Sequence, residues 1–132
     1  MKKVLFLCVG NSCRSQMAEA LFRHHARGKA GAMSAGTKPA KAVSALAIEV
    51  MREKGIDISA QRPKALTPEM VKNADIRISM GCGVERSCPA LYLNLFEDWA
   101  IEDPFGGTIE DYRGARDGIE KKVLALIRSL AK

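Results

Sequence analysis

A cysteine at position 8 and an arginine at position 14 bracket the polar run Cys8-Val9-Gly10-Asn11-Ser12-Cys13-Arg14-Ser15. A sulfur nucleophile and a guanidinium at that spacing point to chemistry on a tetrahedral oxyanion. Gly10 lets the backbone fold close to a ligand, and Asn11 tolerates a left-handed conformation. The amides of Val9, Gly10, Asn11, Ser12 and Cys13 can then turn inward as an anion-binding nest. Arg14 offers a planar fork that matches two oxygens of the guest. The same positive field favours the thiolate of Cys8, and Ser15 can donate a hydrogen bond to it. Cys8 thus reads as a nucleophile aimed at the central atom of the anion. Spacing alone also describes a buried strand-end cysteine followed by a surface arginine. The flanking elements favour the nucleophile.

Two further groups lie where they can join this chemistry. Asp103-Pro104 follows the last expected strand, and its carboxyl group can protonate a departing oxygen as general acid. Taken alone, Asp-Pro is also an ordinary turn start. Cys82 and Cys88 flank a second glycine-containing stretch, and with Cys8 and Cys13 they complete the four cysteines. Four residues separate the first pair and five the second, wider than the usual Cys-x-x-Cys zinc knuckle. A zinc site would also leave Arg14 without a purpose, so no metal is expected. A redox pair fits better, with Gly81 and Gly83 letting the backbone at Cys82 move. The alternative is two buried core cysteines.

These groups must be positioned by alternating strands and helices. The apolar stretch within residues 2–8 reads as a first strand. A helix is expected over 14–27, with Met17, Ala18, Leu21 and Phe22 on one face and Gly28 ending it. His24 and His25 then sit near its negative end as cations or surface groups. A second strand is expected over 30–35, and a helix over 41–54 with Val43, Leu46, Ala47, Val50 and Met51 facing inward. Residues 56–66 read as loop. Thr67-Pro68 opens a short helix as cap and first residue. Asp75 to Met80 reads as a third strand and Asn94 to Trp99 as a fourth. A last helix begins near Thr108, with Tyr112, Ala115, Ile119, Val123, Leu126, Ile127 and Leu130 in its stripe. The alternation implies an α/β fold: a four-stranded parallel sheet with helices on both faces, flavodoxin-like, in one catalytic domain over 1–132. The Cys8 loop then lies at the carboxyl edge of the sheet, where such folds keep their sites.

Composition narrows the function classes. The chain of 132 residues carries 21 Lys plus Arg against 15 Asp plus Glu, a formal charge of +6. That balance suits an anionic substrate or an acidic partner. Aromatic residues make up only 5% and no basic run occurs, which argues against nucleic acid. The apolar segment after Lys2-Lys3 imitates a short signal peptide, but it is at the very bottom of the required length and no small-residue cleavage site follows, so a first buried strand explains it better. No stretch approaches a membrane span. A cytoplasmic monomer is expected, in a compartment where paired cysteines are more often catalytic than structural.

The loop Cys8 to Ser15 with Met17-Ala18-Glu19-Ala20, then Ser34-Ala35-Gly36-Thr37 and Asp103-Pro104, resembles the low-molecular-weight protein tyrosine phosphatase superfamily. With Cys82, Cys88, Trp99, Tyr112-Arg113 and Arg116-Asp117-Gly118-Ile119 added, the chain is similar to the thioredoxin-recycled arsenate reductases of that superfamily. The resemblance implies that Cys8 attacks arsenate held by the loop amides and Arg14, while Asp103 protonates the leaving oxygen. It implies a relay in which Cys82 attacks Cys8 and Cys88 then attacks Cys82. A thioredoxin-like dithiol protein reduces the resulting Cys82–Cys88 disulfide. Cys13 stands outside the relay, and no bound cofactor is implied. The pair here is separated by five residues, where reductases of this type often have six. Phe105 stands where phosphatases often place tyrosine. Some relatives hold potassium beside the loop; Asn11, Glu19 and Ser34 match that site, but Lys64 stands where a carboxylate is expected, and its ammonium can replace the ion. The alternative activity is phosphate monoester hydrolysis through a cysteinyl phosphate. A third reading is a non-enzymatic anion or thiol sensor, which has no use for an acid at Asp103.

Overall fold

The computed structural model describes residues 2–81 and 96–131. Its elements follow the expected alternation: β1 (Lys3–Cys8), α1 (Arg14–Ala26), β2 (Gly31–Gly36), α2 (Ala45–Arg52), α3 (Pro68–Asn73), β3 (Ile76–Ser79), β4 (Glu97–Asp98) and α4 (Ile109–Leu130). The strands form a four-stranded sheet in the order β2-β1-β3-β4, with every pairing parallel. β1 runs from Lys3 opposite Gly31 to Cys8 opposite Gly36 on one side, and pairs Val4 with Ile76 on the other. The chain leaves β1 in one direction along the sheet for β2 and returns past it for β3. The loop after Cys8 therefore opens at a topological switch point on the carboxyl edge.

Alternation along β1 sends side chains to two apolar layers. Val4 and Phe6 join the large core with Phe22, Met51, Trp99 and Ile119, whereas Leu5 packs with Ala35, Val71 and Ala74. Phe6 has its ring centroid 6.0 Å from Phe22 and 5.6 Å from Trp99, both tilted. A Phe6→Ala truncation there costs about 3–5 kcal/mol. β1 is thus anchored on both faces, which fixes the height at which Cys8 emerges.

Element ends differ from the sequence reading for identifiable reasons. Arg27, at φ 51°, takes the left-handed position that ends α1, one residue before Gly28. α2 starts at Ala45 rather than at 41, because residues 38–44 are committed elsewhere. The amides of Lys38, Ala40 and Ser44 donate to the carbonyls of Val9, Gly10 and Ser12. β2 reaches Gly36, one residue further than expected, and there bridges Ala65. β4 is only Glu97–Asp98, shorter than the expected strand, whose residues 94 and 95 lie outside the described residues. Gly81 is required as glycine by both conformation and contact. It has φ +72°, a Cβ there would sit 2.7 Å from Ala100 Cα, and its N–H donates to Asp98 Oδ1. α3 and α4 begin as read. Thr67 Oγ1 accepts from Met70 N at 3.2 Å, and Thr108 with Asp111 closes a capping box. Among the described residues no helix is long and apolar enough to cross a membrane.

Candidate active site

The loop between β1 and α1 is held from outside by its carbonyls. Val9 O accepts from Lys38 N at 2.9 Å, Gly10 O from Ala40 N at 2.9 Å and Ser12 O from Ser44 N at 2.8 Å. Asn11 O accepts from Gln16 Nε2 at 3.0 Å. A peptide plane that turns its oxygen outward turns the N–H of the next residue inward. The loop amides are thereby turned toward the side on which the sequence expects a nest, and three of the four donors lie far along the chain. Asn11 has φ 50°, the left-handed conformation anticipated for it; Gly10 needs no positive φ. A second glycine is required by contact. At Gly36 an added Cβ would lie 2.6 Å from Val9 O, so β2 can approach the loop this closely there only with glycine.

Cys8 is buried at the floor of this loop and is 2% exposed. Its Sγ accepts from Asn11 N at 3.2 Å and lies 2.8 Å from Ser15 Oγ. Asn11 Nδ2 donates to Ser15 Oγ at 2.7 Å. Because that oxygen is already accepting, its own hydrogen is free to point at the sulfur. Arg14 is also 2% exposed. Its Nη1 donates to Met80 O at 2.5 Å and to Ile101 O at 2.8 Å. These carbonyls end β3 and follow β4, so the sheet edge itself clasps the guanidinium. The opposite edge remains for a ligand: Nε has no partner among the described residues, and Nη2 lies 3.4 Å from Asp103 Oδ2. A buried, unpartnered guanidinium N–H is costly, and an oxyanion on that edge would satisfy it.

Asp103 joins the site. Its side chain is 49% exposed, and its Oδ1 accepts from Phe105 N at 3.0 Å and from Cys13 Sγ at 3.6 Å. Pro104 and Phe105 follow it in the loop before α4, with Phe105 exposed at the rim. Burial first, and then the nearby Asp103 and Cys8, push the Cys13 thiol up to about 12. Cys13 is therefore a protonated donor to Asp103 at neutral pH, in keeping with a place outside the relay. Cys82 and Cys88 lie outside the described residues. Among the described residues no cluster of three or more His, Cys, Asp or Glu side chains is arranged to hold a metal.

The residues matched to a potassium site do not fit that ion. Glu19 is 4% exposed, and its carboxylate receives Ser34 Oγ at 2.6 Å and Arg23 Nη1 at 3.1 Å, with Lys64 Nζ at 3.8 Å. Asn11 Oδ1 is occupied by Lys64 N at 2.8 Å and Gln16 Nε2 at 3.0 Å. A cation needs lone pairs, and here the oxygens already face donors, one of them an ammonium. His25 is likewise accounted for. Its Nε2 lies 2.8 Å from Glu120 Oε2, and Lys54 Nζ lies 3.0 Å from Glu120 Oε1.

Several residues that shape the site carried no sequence signal. Met80 and Ile101 act through backbone carbonyls, which any residue type supplies. Lys64 N reaches the loop, and Gln61 and Arg62 reach Gln16 behind it, from positions that no local spacing connects.

Comparison with known proteins agrees with this geometry. Residues 3–132 match the family described as low molecular weight phosphotyrosine protein phosphatase. A protein of Synechocystis sp. named glutaredoxin arsenate reductase is 39% identical over 132 residues, covering 99% of this chain and 100% of that protein. A solved structure titled an arsenate reductase in the phosphate binding state superposes with a TM-score of 0.84 at 40% identity, covering 98% of each chain. YwlE arginine phosphatase from Geobacillus stearothermophilus gives 0.87 at 33% identity, covering 99% of this chain and 94% of that one. The match runs from the first strand through the last helix, and the chain belongs to the low molecular weight phosphotyrosine protein phosphatase family.

Proposed function

We propose that this chain is an arsenate reductase. The observation that carries the reading is the pairing of a buried sulfur, served by Asn11 N and Ser15 Oγ, with a guanidinium whose Nε lacks a partner among the described residues. The relatives named arsenate reductase supply the anion.

Arsenate docks on the loop amides and on the Nε/Nη2 edge of Arg14. Cys8 attacks arsenic as the thiolate, and the S–As bond forms as one As–O bond breaks. Asp103 gives its proton to the departing oxygen, which leaves as water. Cys82 then attacks the Cys8 sulfur as a thiolate. The S–As bonding pair goes to arsenic, which leaves as arsenite, and a Cys8–Cys82 disulfide remains. Cys88 attacks Cys82, releasing the Cys8 thiolate and leaving Cys82–Cys88 oxidised. An external dithiol protein takes that disulfide by exchange. The sequence reading points to a thioredoxin-like reductant, and the name of the Synechocystis relative adds glutaredoxin as a candidate. A reducing compartment such as the cytoplasm suits thiols that must be reduced again after each turnover.

Phosphate ester hydrolysis is the second reading, and the surface beside the Asp103 loop favours it. Beside the Asp103 loop is a cavity of about 430 Å³, lined in part by Glu102, Phe105 and Glu110. Phe105 is 72% exposed. An aromatic ring among carboxylates suits an aryl or cationic leaving group, and one structural relative is titled an arginine phosphatase.

The test compares Cys8→Ser, Cys82→Ser and Cys88→Ser in arsenate reduction, with thioredoxin and glutaredoxin supplied separately, and in hydrolysis of aryl phosphate and phosphoarginine. The reductase reading expects Cys8→Ser to abolish both activities. The other two variants should lose multiple-turnover reduction and keep hydrolysis. Full arsenate turnover by Cys82→Ser would overturn the relay.

A further inference from the structure

The donors and acceptors behind the loop form a chain whose direction is fixed as far as Ser15, and it begins at Gln16. This side chain is fully buried. Its Nε2 lies 2.9 Å from Arg62 O, 3.0 Å from Asn11 O and 3.0 Å from Asn11 Oδ1. Two of these are backbone carbonyls, which only accept, so the atom facing them must be the amide nitrogen. On the other side, Gln61 Nε2 donates to Gln16 Oε1 at 2.5 Å. The orientation of Gln16 therefore has no alternative.

That orientation propagates. Asn11 presents one side-chain atom to both Gln16 Nε2 and the backbone N–H of Lys64, so that atom must be its oxygen. Its Nδ2 is then turned to Ser15 Oγ at 2.7 Å, and the hydroxyl hydrogen of Ser15 is left for Cys8 Sγ at 2.8 Å, where a thiolate sulfur can only accept it. Gln16 acts twice on Asn11. It donates to Oδ1 directly, and by gripping Gln61 and Arg62 it holds the segment that brings Lys64 N to the same oxygen. With Asn11 reversed, its oxygen would face Ser15, and the serine hydrogen would turn away from the sulfur.

We propose that Gln16 is a positioning residue: its buried amide sets the polarity of the Gln16–Asn11–Ser15 chain so that Ser15 donates to Cys8. This rests on Cys8 as the nucleophile, but not on which oxyanion it attacks.

The experiment is a double-mutant cycle read as the rate of Cys8 alkylation by iodoacetamide at pH 7, with the labelled site located by mass spectrometry. Gln16→Met keeps volume and removes the amide. Gln16→Met and Ser15→Ala should each slow Cys8 alkylation by about tenfold, the loss expected of one hydrogen bond to a charged sulfur. The double variant should be no slower than Ser15→Ala, because Gln16 acts through the serine hydrogen. Phosphate should still protect Cys8, since Gln16→Met frees only the Asn11 carbonyl of the loop and leaves the ties on the Val9, Gly10 and Ser12 carbonyls, and Arg14, in place. A multiplicative loss of about a hundredfold in the double variant, or lost phosphate protection in Gln16→Met, overturns the proposal. If Gln16→Met does not fold, the half-buried Gln61→Met replaces it. The cycle then expects a smaller loss that again vanishes in the Ser15→Ala background, and persistence of the loss there overturns the proposal. Wild-type Cys8 alkylated no faster than a free cysteine would instead remove the nucleophile reading, and this inference with it.

Discussion

Replacing Arg14 by lysine separates the two jobs of the guanidinium. In the structure Nη1 is spent on the carbonyls of Met80 and Ile101, and the Nε/Nη2 edge is left for the anion. A lysine ammonium has three donors from one atom and no fork. Seated near the two carbonyls, it cannot also grip two oxygens of the substrate. The lost interaction is a bidentate pair of charge-assisted hydrogen bonds, each about 1.5–3 kcal/mol, so about 3–6 kcal/mol together. At about 1.4 kcal/mol per decade this lowers kcat/KM by about 10²–10⁴. Steady-state arsenate reduction measures the activity, and thermal unfolding with and without phosphate measures the grip. Phosphate should raise the melting temperature of the wild type and leave that of Arg14→Lys unchanged. An Arg14→Lys enzyme within tenfold of wild type, with its phosphate-induced stabilisation intact, would refute the assignment of that edge to the substrate.

Asp103→Asn should lower turnover by about 10²–10⁴, the usual contribution of a positioned acid, with phosphate affinity held; undiminished turnover would remove Asp103 from the proton's route. Cys13, its thiol held near 12 by burial and its neighbours, should resist alkylation at pH 7, and Cys13→Ser should turn over within about tenfold of wild type. Turnover in potassium should equal turnover in sodium at equal ionic strength, because Lys64 and Arg23 already face Glu19; activation by potassium would overturn this. Glu53 is held down to about 2 from an ordinary 4.5, first by its hydrogen bonds to Arg113 and then by those to Arg116. A depressed carboxyl stabilises the fold fully above pH 4.5 and loses that contribution as pH falls toward 2. The melting temperature of Glu53→Gln should therefore lie below wild type at neutral pH, with the gap closing over that window.

The sequence carried the strand–loop–helix unit in full, because its signals are local. Val4 to Leu7 are continuous apolar residues, Asn11 tolerates the left-handed turn, and Arg14 opens the helix. Thr67-Pro68 and Thr108 announced two helix starts by capping chemistry alone. Asp103 was legible as a candidate acid, but its position beside Arg14 Nη2 depends on where the loop before α4 returns. The start of α2 was misread because Ala42 and Val43 extend its apolar pattern back to 41, while the amides of Lys38, Ala40 and Ser44 hold this stretch against the loop carbonyls. That competition is a tertiary effect with no local pattern. The same holds for Gln16, whose partners Gln61 and Arg62 lie 45 and 46 residues away.

The outward-facing carbonyls of the loop have one more consequence. With Val9, Gly10, Asn11 and Ser12 each tied back by a donor, the cup is braced from outside and has little freedom to close around a guest. A rigid cup of this kind cannot sort two tetrahedral anions of equal charge by tightening on the right one. Cellular phosphate will therefore enter as readily as arsenate and act as a competitor. Discrimination falls on the step after entry, where arsenic can accept an electron pair from its bond to sulfur and phosphorus cannot.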